Sequence, residues 1–401
     1  MKTIPRLLET QVKRAARAFG AVVITGPRGS GKTFLLRHIY PRAQYFLFED
    51  PDVVSRFRSD PQGFLDAVKV PAILDEIQNA PEVLNYVRSR IDAAPEKKGR
   101  WLLTGSQESG LMRNVSESMA GRAAILQLLP LSLAETPKVG LLTGGYPEAL
   151  ARPRDAALWY ASYVQTYLER DVRALSAVQD LPTFRRFMAL AATRHGAVIN
   201  MSDLAAPLGV SVPTSGRWLD ILEATGLVVR ALPFYENLGK RLIKSPKLYW
   251  TDSGLTCHLL GIRTAAELER SPFLGAVFEG AVASEIIKAQ INRGHRRELY
   301  YFRDQQGLEV DFIVPMPGGA YQLIEAKATR SPHPDLAKPM LSLARTWKAA
   351  VATRELAGCT LVHREARSAV KSSALAPGAV ALTFGQLVEV LNAASLKRRS
   401  S

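Results

Sequence analysis

Cysteine is nearly absent. Only Cys257 and Cys359 occur in 401 residues, far apart and without a Cys or His partner at ligand spacing, which excludes a disulfide framework and a zinc site and leaves both as small apolar residues. Long apolar runs are lacking too: nothing approaches the roughly 18 uninterrupted apolar residues of a membrane span, so no membrane partner is expected. The opening Met1-Lys-Thr-Ile-Pro-Arg-Leu-Leu8 has neither an extended apolar core nor a small-residue cleavage site, and the expected location is the cytoplasm. Acidic residues are scarce relative to basic ones. The 37 Asp and Glu face 52 Lys and Arg, a net charge of +15, and that surplus favours phosphate-rich partners such as DNA or RNA. No internal repeat or long low-complexity tract is visible, and a 47% hydrophobic content over this length is enough for two or three cores.

What is present begins with Gly26-Pro27-Arg28-Gly29-Ser30-Gly31-Lys32-Thr33, which fits GxxxxGK[ST] and follows the apolar strand Ala21-Val-Val-Ile24. Glycines let backbone N–H groups close around an oxyanion, and the helix starting near Gly31 turns its positive dipole end toward it. Lys32 is expected to neutralise β/γ-phosphate charge and Thr33 to help hold Mg2+, with ATP or GTP as the nucleotide. A second apolar strand, Val70-Pro-Ala-Ile-Leu-Asp75-Glu76, ends in two carboxylates, the form of a Walker B motif. Asp75 is the expected metal-holding group and Glu76 the carboxylate that polarises the attacking water, which makes hydrolysis the expected activity. A third strand, Arg100-Trp-Leu-Leu-Thr104-Gly-Ser106-Gln107, brings polar residues to the same strand ends, where Thr104, Ser106 or Gln107 can reach the γ-phosphate or the water.

These three tipped strands, followed by Ser118-Met-Ala-Gly-Arg122 and Leu128-Leu-Pro-Leu-Ser132, resemble the AAA+ superfamily, and more narrowly the predicted prokaryotic AAA+ ATP-binding proteins that carry a C-terminal domain of unknown function. Gly144-Gly-Tyr-Pro-Glu148, Tyr163 to Asp171, Pro246-Lys-Leu-Tyr-Trp-Thr-Asp252-Ser-Gly-Leu255 and Phe278-Glu279 extend the likeness over nearly the whole chain. The resemblance implies an ATPase that works as an oligomer. It also implies an arginine beyond the sensor strand that reaches a neighbouring subunit's nucleotide: Arg122, with Arg113 as the second choice.

Residues 196–263 read as a winged helix. Asn200 to Val210 is a capped helix and turn, Val212 to Leu227 a second helix, and Val228 to Trp250 a hairpin whose tip, Asn237 to Lys247, clusters cations. On duplex DNA, Thr214, Ser215 and Arg217 would face the groove, with Lys240, Arg241 and Lys244 on phosphates. In the last third, Glu279 on a helix, Asp311 on one strand and Glu325-Ala-Lys327 on the next resemble the PD-(D/E)XK nuclease fold, with Val310 where the motif name has Pro. Alternation places Glu325 and Lys327 on one face. The resemblance implies Mg2+ on Asp311 and Glu325, with Glu279 completing the shell, and Lys327 placing the attacking water.

The expected architecture is α/β: an AAA+ P-loop core over residues 1–140, a helical lid and connector over 141–195, the winged helix over 196–263 and the nuclease-like domain over 272–395. The expected activity is ATP hydrolysis on DNA, together with a Mg2+-dependent endonuclease if the last domain is live. The competing reading is a nucleotide-dependent switch that binds a protein partner through an inactive nuclease-like scaffold.

Overall fold

The computed structural model describes residues 3–105, 118–167, 180–234, 245–316, 318–350, 355–365 and 374–393. The chain divides into two compact units, Met1–Leu131 with Asp220–Leu227 and Ile291–His295, and Ser132–Leu219 with Val228–Gln290 and Arg296–Ser401.

The first unit is built on five parallel strands, β1 (Ala21–Thr25), β2 (Gln44–Leu47), β3 (Ala72–Asp75), β4 (Trp101–Thr104) and β5 (Ala123–Gln127), in the order β2-β3-β4-β1-β5. Alternation divides β1 between two cores. Ala21 and Val23 join Phe48, Phe57, Leu74 and Leu103 on one face, while Val22 and Ile24 join Leu8, Val12, Leu35, Leu36 and Leu102 on the other. A strand buried on both sides has to read as a continuous apolar run, which is what Ala21-Val-Val-Ile24 does. Because every strand runs the same way, the segments after β1, β3 and β4 emerge at one edge, and β4 lies between β1 and β3. That edge gathers Gly26–Thr33, Asp75 and Thr104.

The second unit has eight strands: β6 (Val228–Pro233), β7 (Lys247–Trp250), β8 (Tyr300–Arg303), β9 (Glu309–Pro315), β10 (Tyr321–Lys327), β11 (Leu356–His363), β12 (Ala374–Ala376) and β13 (Ala379–Thr383). Their order is β12-β13-β11-β10-β9-β8-β6-β7. One face carries a core of Phe234, Phe302, Ile313, Leu323, Met340, Trp347 and Leu361. The hairpin expected to stand apart as a wing is part of this sheet. β6 runs past its pairing with β7 so that Leu232 and Pro233 pair in parallel with Tyr300 and Tyr301 of β8.

Asp252 explains two of the stretches singled out by resemblance. It caps the helix Ser253–Leu259 by accepting the Leu255 N–H at 2.9 Å, and it also accepts the Gly145 N–H at 2.6 Å and the Tyr160 hydroxyl at 2.9 Å. Gly144 sits at φ +65°, where a Cβ would lie 2.2 Å from the Asp252 carboxylate. Any side chain there would break the knot.

Candidate functional site

In the first unit, the loop after β1 turns on Gly29 and Gly31, at φ +76° and +95°. Gly26 is held so close to the residue after β5 that a Cβ would meet the Leu128 carbonyl oxygen at 2.1 Å. The helix Lys32–Ile39 begins at Gly31 with no side chain capping its N-terminus, so its first N–H groups point into the loop. Lys32 Nζ donates to the carbonyls of Gly26 at 3.0 Å and Pro27 at 3.2 Å, and the Ser30 hydroxyl is buried without a hydrogen-bond partner. Open N–H donors, a lysine folded onto loop carbonyls and an orphaned hydroxyl fit a phosphate chain. Arg28 leans toward Glu49 at 3.8 Å. Sequence reasoning missed Arg6: its guanidinium donates to Ser30 O and Leu129 O, both at 2.7 Å, and so ties the loop to the segment after β5. An isolated arginine 24 residues from its partner leaves no local signal.

Asp75 ends β3 and collects hydroxyls. Thr33 donates to it at 2.8 Å and Tyr45 at 2.7 Å, and Thr104 donates as well. Burial, and after it the hydrogen bond and charge of Asp75, hold the Tyr45 phenol well above its ordinary range, so it stays a donor. These donors supply no positive charge. The Thr33 hydroxyl and the Asp75 carboxylate are the oxygen ligands Mg2+ prefers. Glu76 occupies the left-handed region at φ +57°, with its N–H on the Thr104 hydroxyl at 3.1 Å and its carboxylate accepting from Gln78. That conformation costs on the order of 1–2 kcal/mol for a residue with a Cβ, and the Thr104 contact helps to hold it.

Arg122 is half-exposed and forms a two-pronged pair with Asp92, Nε to Oδ1 at 2.5 Å and Nη2 to Oδ2 at 3.0 Å. Ser106 and Arg113 lie outside the described residues, as do Gln107, Lys240, Arg241 and Lys244.

In the second unit, the helix Leu274–Asn292 presents Glu279 to β9 and β10, which carry Asp311 and Glu325. The structure brings these three expected residues together with Lys327. It also brings a residue that sequence reasoning had assigned to the basic wing tip. Lys247, 2% exposed, sets its ammonium 2.6 Å from Glu309, 3.0 Å from Glu279 and 3.5 Å from Asp311. Lys327 lies 2.5 Å from Glu325 and 3.5 Å from Asp311. Tyr249 donates to Glu279 at 2.5 Å, Ala326 N–H to Asp311 at 3.0 Å and Asp311 N–H to Glu325 at 3.4 Å. Burial, then the charge of Asp311, pushes Glu279 up to about 7 and Glu325 up to about 8. Burial works against the charged form of Lys247, but Glu279, Asp311 and Glu309 outweigh it and hold the amine protonated.

The expected Mg2+ does not fit this donor set. The ammonium groups of Lys247 and Lys327 stand where its carboxylates converge and compete with a metal for the same oxygens. The carboxylates expected to hold a metal, Glu279, Asp311 and Glu325, are thus already engaged by ammonium, hydroxyl and N–H donors.

On the helix Val212–Ala224, Arg217 is exposed and donates to the half-buried Thr214 hydroxyl at 3.3 Å. Ser215 is fully buried, its hydroxyl donating to Val212 O at 2.9 Å and Met201 O at 3.3 Å. It faces inward and cannot reach a groove, a correction to its expected role; the helix turns one residue in every three or four toward the core, and Ser215 falls on that side.

Fold and site define the first unit as an AAA-type P-loop ATPase domain, and residues 18–136 match the family model of the AAA domain. Residues 138–266 and 274–374 match two domains of unknown function, DUF8612 and DUF4143. Over 391 residues the chain is 34% identical to the uncharacterized proteins Rv2008c of Mycobacterium tuberculosis and Mb2031c of Mycobacterium bovis, covering 95% of this chain and 85% of each relative. It belongs to their family. Among solved structures, the Walker-type ATPase PABY2304 of Pyrococcus abyssi aligns with 63% of this chain and 94% of its own at 14% identity and a TM-score of 0.42. A STAND protein with a tetratricopeptide repeat sensor from Pyrococcus horikoshii aligns with 69% of this chain and 47% of its own at 14% identity and a TM-score of 0.23. Among the described residues, no helix is long and apolar enough to cross a membrane.

Proposed function

We propose that the protein hydrolyses ATP with Mg2+ and that its nucleotide state controls how the second unit engages DNA. The single observation that carries the hydrolytic part is the convergence of Thr33, Asp75, Thr104 and Glu76 at one sheet edge beside an uncapped helix N-terminus. When bound, Mg2+-ATP supplies the phosphoanhydride to be cleaved and the metal charge at its phosphates. Lys32 exchanges the Gly26 and Pro27 carbonyls for phosphate oxygens, the loop N–H groups hold the anion, and Thr33 and Asp75 hold the metal. Glu76, fixed through its N–H on Thr104, polarises the water. In an AAA+ oligomer, Arg122 leaves Asp92 for a neighbour's nucleotide, which ties turnover to assembly.

The DNA part is supported by the +15 charge and by the order of helices 201–205 and 212–224 before the β6–β7 hairpin, the outline of a winged helix. Thr214 and Arg217, with Lys240, Arg241 and Lys244, are the proposed contacts. Glu279, Asp311, Glu325 and Lys327 on a helix and two adjoining strands support a PD-(D/E)XK-like scaffold. A second reading, a nucleotide switch directed at a protein partner through an inactive nuclease-like scaffold, is favoured by the seat of Lys247 among the acids.

ATP turnover with and without branched, single-stranded and duplex DNA separates the two readings. Wild type is expected to hydrolyse ATP and to speed up with DNA, and Lys32→Ala to lose on the order of 100-fold or more. Turnover indifferent to every DNA structure would favour the protein-directed switch, and turnover unaffected by Lys32→Ala would sink the ATPase reading.

A further inference from the structure

Lys247 and Tyr249 are two residues apart on β7, so alternation sends both side chains to the same face, and both donate to Glu279 Oε1. The register is fixed from the other side: Lys247 pairs with Ala231 of β6, and an isolated bridge joins it to Val198. The ammonium also lies 5.6 Å above the Tyr301 ring. A lysine this buried is rare unless paired, because removing an ammonium from water costs several kcal/mol. Here three carboxylates from two separate elements meet it. Mg2+ asks for near-octahedral oxygen ligation at about 2.0–2.1 Å and keeps several waters, and a second cation within hydrogen-bonding distance of the same oxygens opposes it.

We propose that Lys247 is the built-in cation of this acidic cluster, standing in the place of a divalent metal, so that the cluster is a metal-independent lock between β7, β9 and the helix Leu274–Asn292 and does not cut phosphodiesters. The inference is independent of the ATPase reading, since it concerns only the second unit and is tested without nucleotide. It gives the Glu-Asp-Glu-Lys pattern a structural use: two lysines from different strands neutralise acids that would otherwise repel one another.

The test is Mn2+ binding followed by the electron paramagnetic resonance of free Mn2+, in the full-length chain without nucleotide. An Asp75→Asn background silences the phosphate-loop site. That background protein is expected to show no Asp311-dependent Mn2+ binding up to about 1 mM. Adding Lys247→Gln is expected to create one site, tighter by about tenfold or more and abolished again by Asp311→Asn. A site present with Lys247 intact and removed by Asp311→Asn would overturn the proposal, as would a folded Lys247→Gln protein that gains none. Should Lys247→Gln fail to fold, the pair Lys247→Gln with Glu309→Gln removes one charge of each sign and takes its place, with the same gain expected. Whatever the fate of those variants, the Lys247-intact background with and without Asp311→Asn decides whether the cluster already holds a metal.

Discussion

Asp75 and Asp311 are buried to nearly the same degree, 2% and 5% exposed, on strands of two different sheets, yet their surroundings prepare them for opposite uses. Around Asp75 the partners are hydroxyls of Thr33, Tyr45 and Thr104, which satisfy lone pairs and leave the negative charge in place. Around Asp311 they are the ammonium groups of Lys247 and Lys327 and a backbone N–H, which satisfy the lone pairs and cancel the charge. A buried carboxylate held by neutral donors is ready for a cation, whereas one held by lysines already has one. Two acidic constellations that look alike in a motif are therefore separated by the kind of donor each has found.

The comparison is broken or kept most sharply by removing a lysine from each site. Lys247→Met leaves Glu279, Glu309 and Asp311 facing one another without their shared cation, and breaking a buried pair in this way costs about 3–5 kcal/mol. Thermal unfolding of the full chain should record that loss with ATP turnover retained by the protein that stays folded. Lys32→Met should do the reverse. Its ammonium donates to the Gly26 and Pro27 carbonyls, and losing two such hydrogen bonds should move stability by about 1–3 kcal/mol while turnover vanishes. If both substitutions act mainly on stability, the distinction between a lock and a working site fails.

A graded effect comes from acid. His195 packs edge-on to Tyr249, fits a recess that exists because residue 280 is glycine, and accepts the Trp250 N–H at 3.0 Å through Nδ1. Burial lowers it from 6.5 to about 3, so the folded chain keeps it neutral. Above 6.5 neither state binds the proton and the full contribution is present. As pH falls from 6.5 toward 3, only the unfolded chain takes up the proton, and stability drops by up to about 1.4 kcal/mol per unit. Glu279 and Glu325 act with the opposite sign: raised from 4.5 to about 7 and about 8, they favour the fold below 4.5, and that contribution is lost as pH rises through their folded values. Subtracting the denaturation profile of His195→Gln from that of wild type isolates the histidine. A difference that stays flat between pH 6.5 and 4 would mean that His195 is not held neutral.

The phosphate loop was legible because its parts are consecutive: three glycines, Lys32 and Thr33 need only one strand before them and one helix after. Asp75 was legible for the same reason, as the last residue of an apolar run. Its partner Tyr45 was not, since the two are 30 residues apart and meet only because β2 pairs with β3. In the second unit the strands up to Lys327 were visible in outline, with Glu279, Asp311, Glu325 and Lys327 of the acidic cluster, whereas Glu309 and the strands β11, β12 and β13 were not. The role of Lys247 was hidden by its company in the sequence. It stands beside Lys240, Arg241 and Lys244, and a run of cations around a hairpin reads as a solvated tip until register shows which face of β7 it occupies. Ser215 was misread by the opposite error, a polar residue in a helix taken as exposed although its hydroxyl turns back to its own backbone.

The finest test of the comparison is Tyr45→Phe, which removes one neutral donor from Asp75 and nothing else. The phenol is half-buried and its hydrogen bond to a carboxylate contributes on the order of 0.5–1.5 kcal/mol, so the loss of stability should be small. Its functional consequence follows from charge. Thr33 and Thr104 still hold the carboxylate, which keeps its full negative charge and gains a lone pair, so Mg2+ should support ATP turnover at an equal or lower concentration than in wild type. The measurement is turnover against Mg2+ at saturating ATP. A markedly higher Mg2+ requirement would show that Tyr45 orients Asp75 for the metal rather than only shielding it, and the hydroxyl set would then be part of the ligand geometry itself.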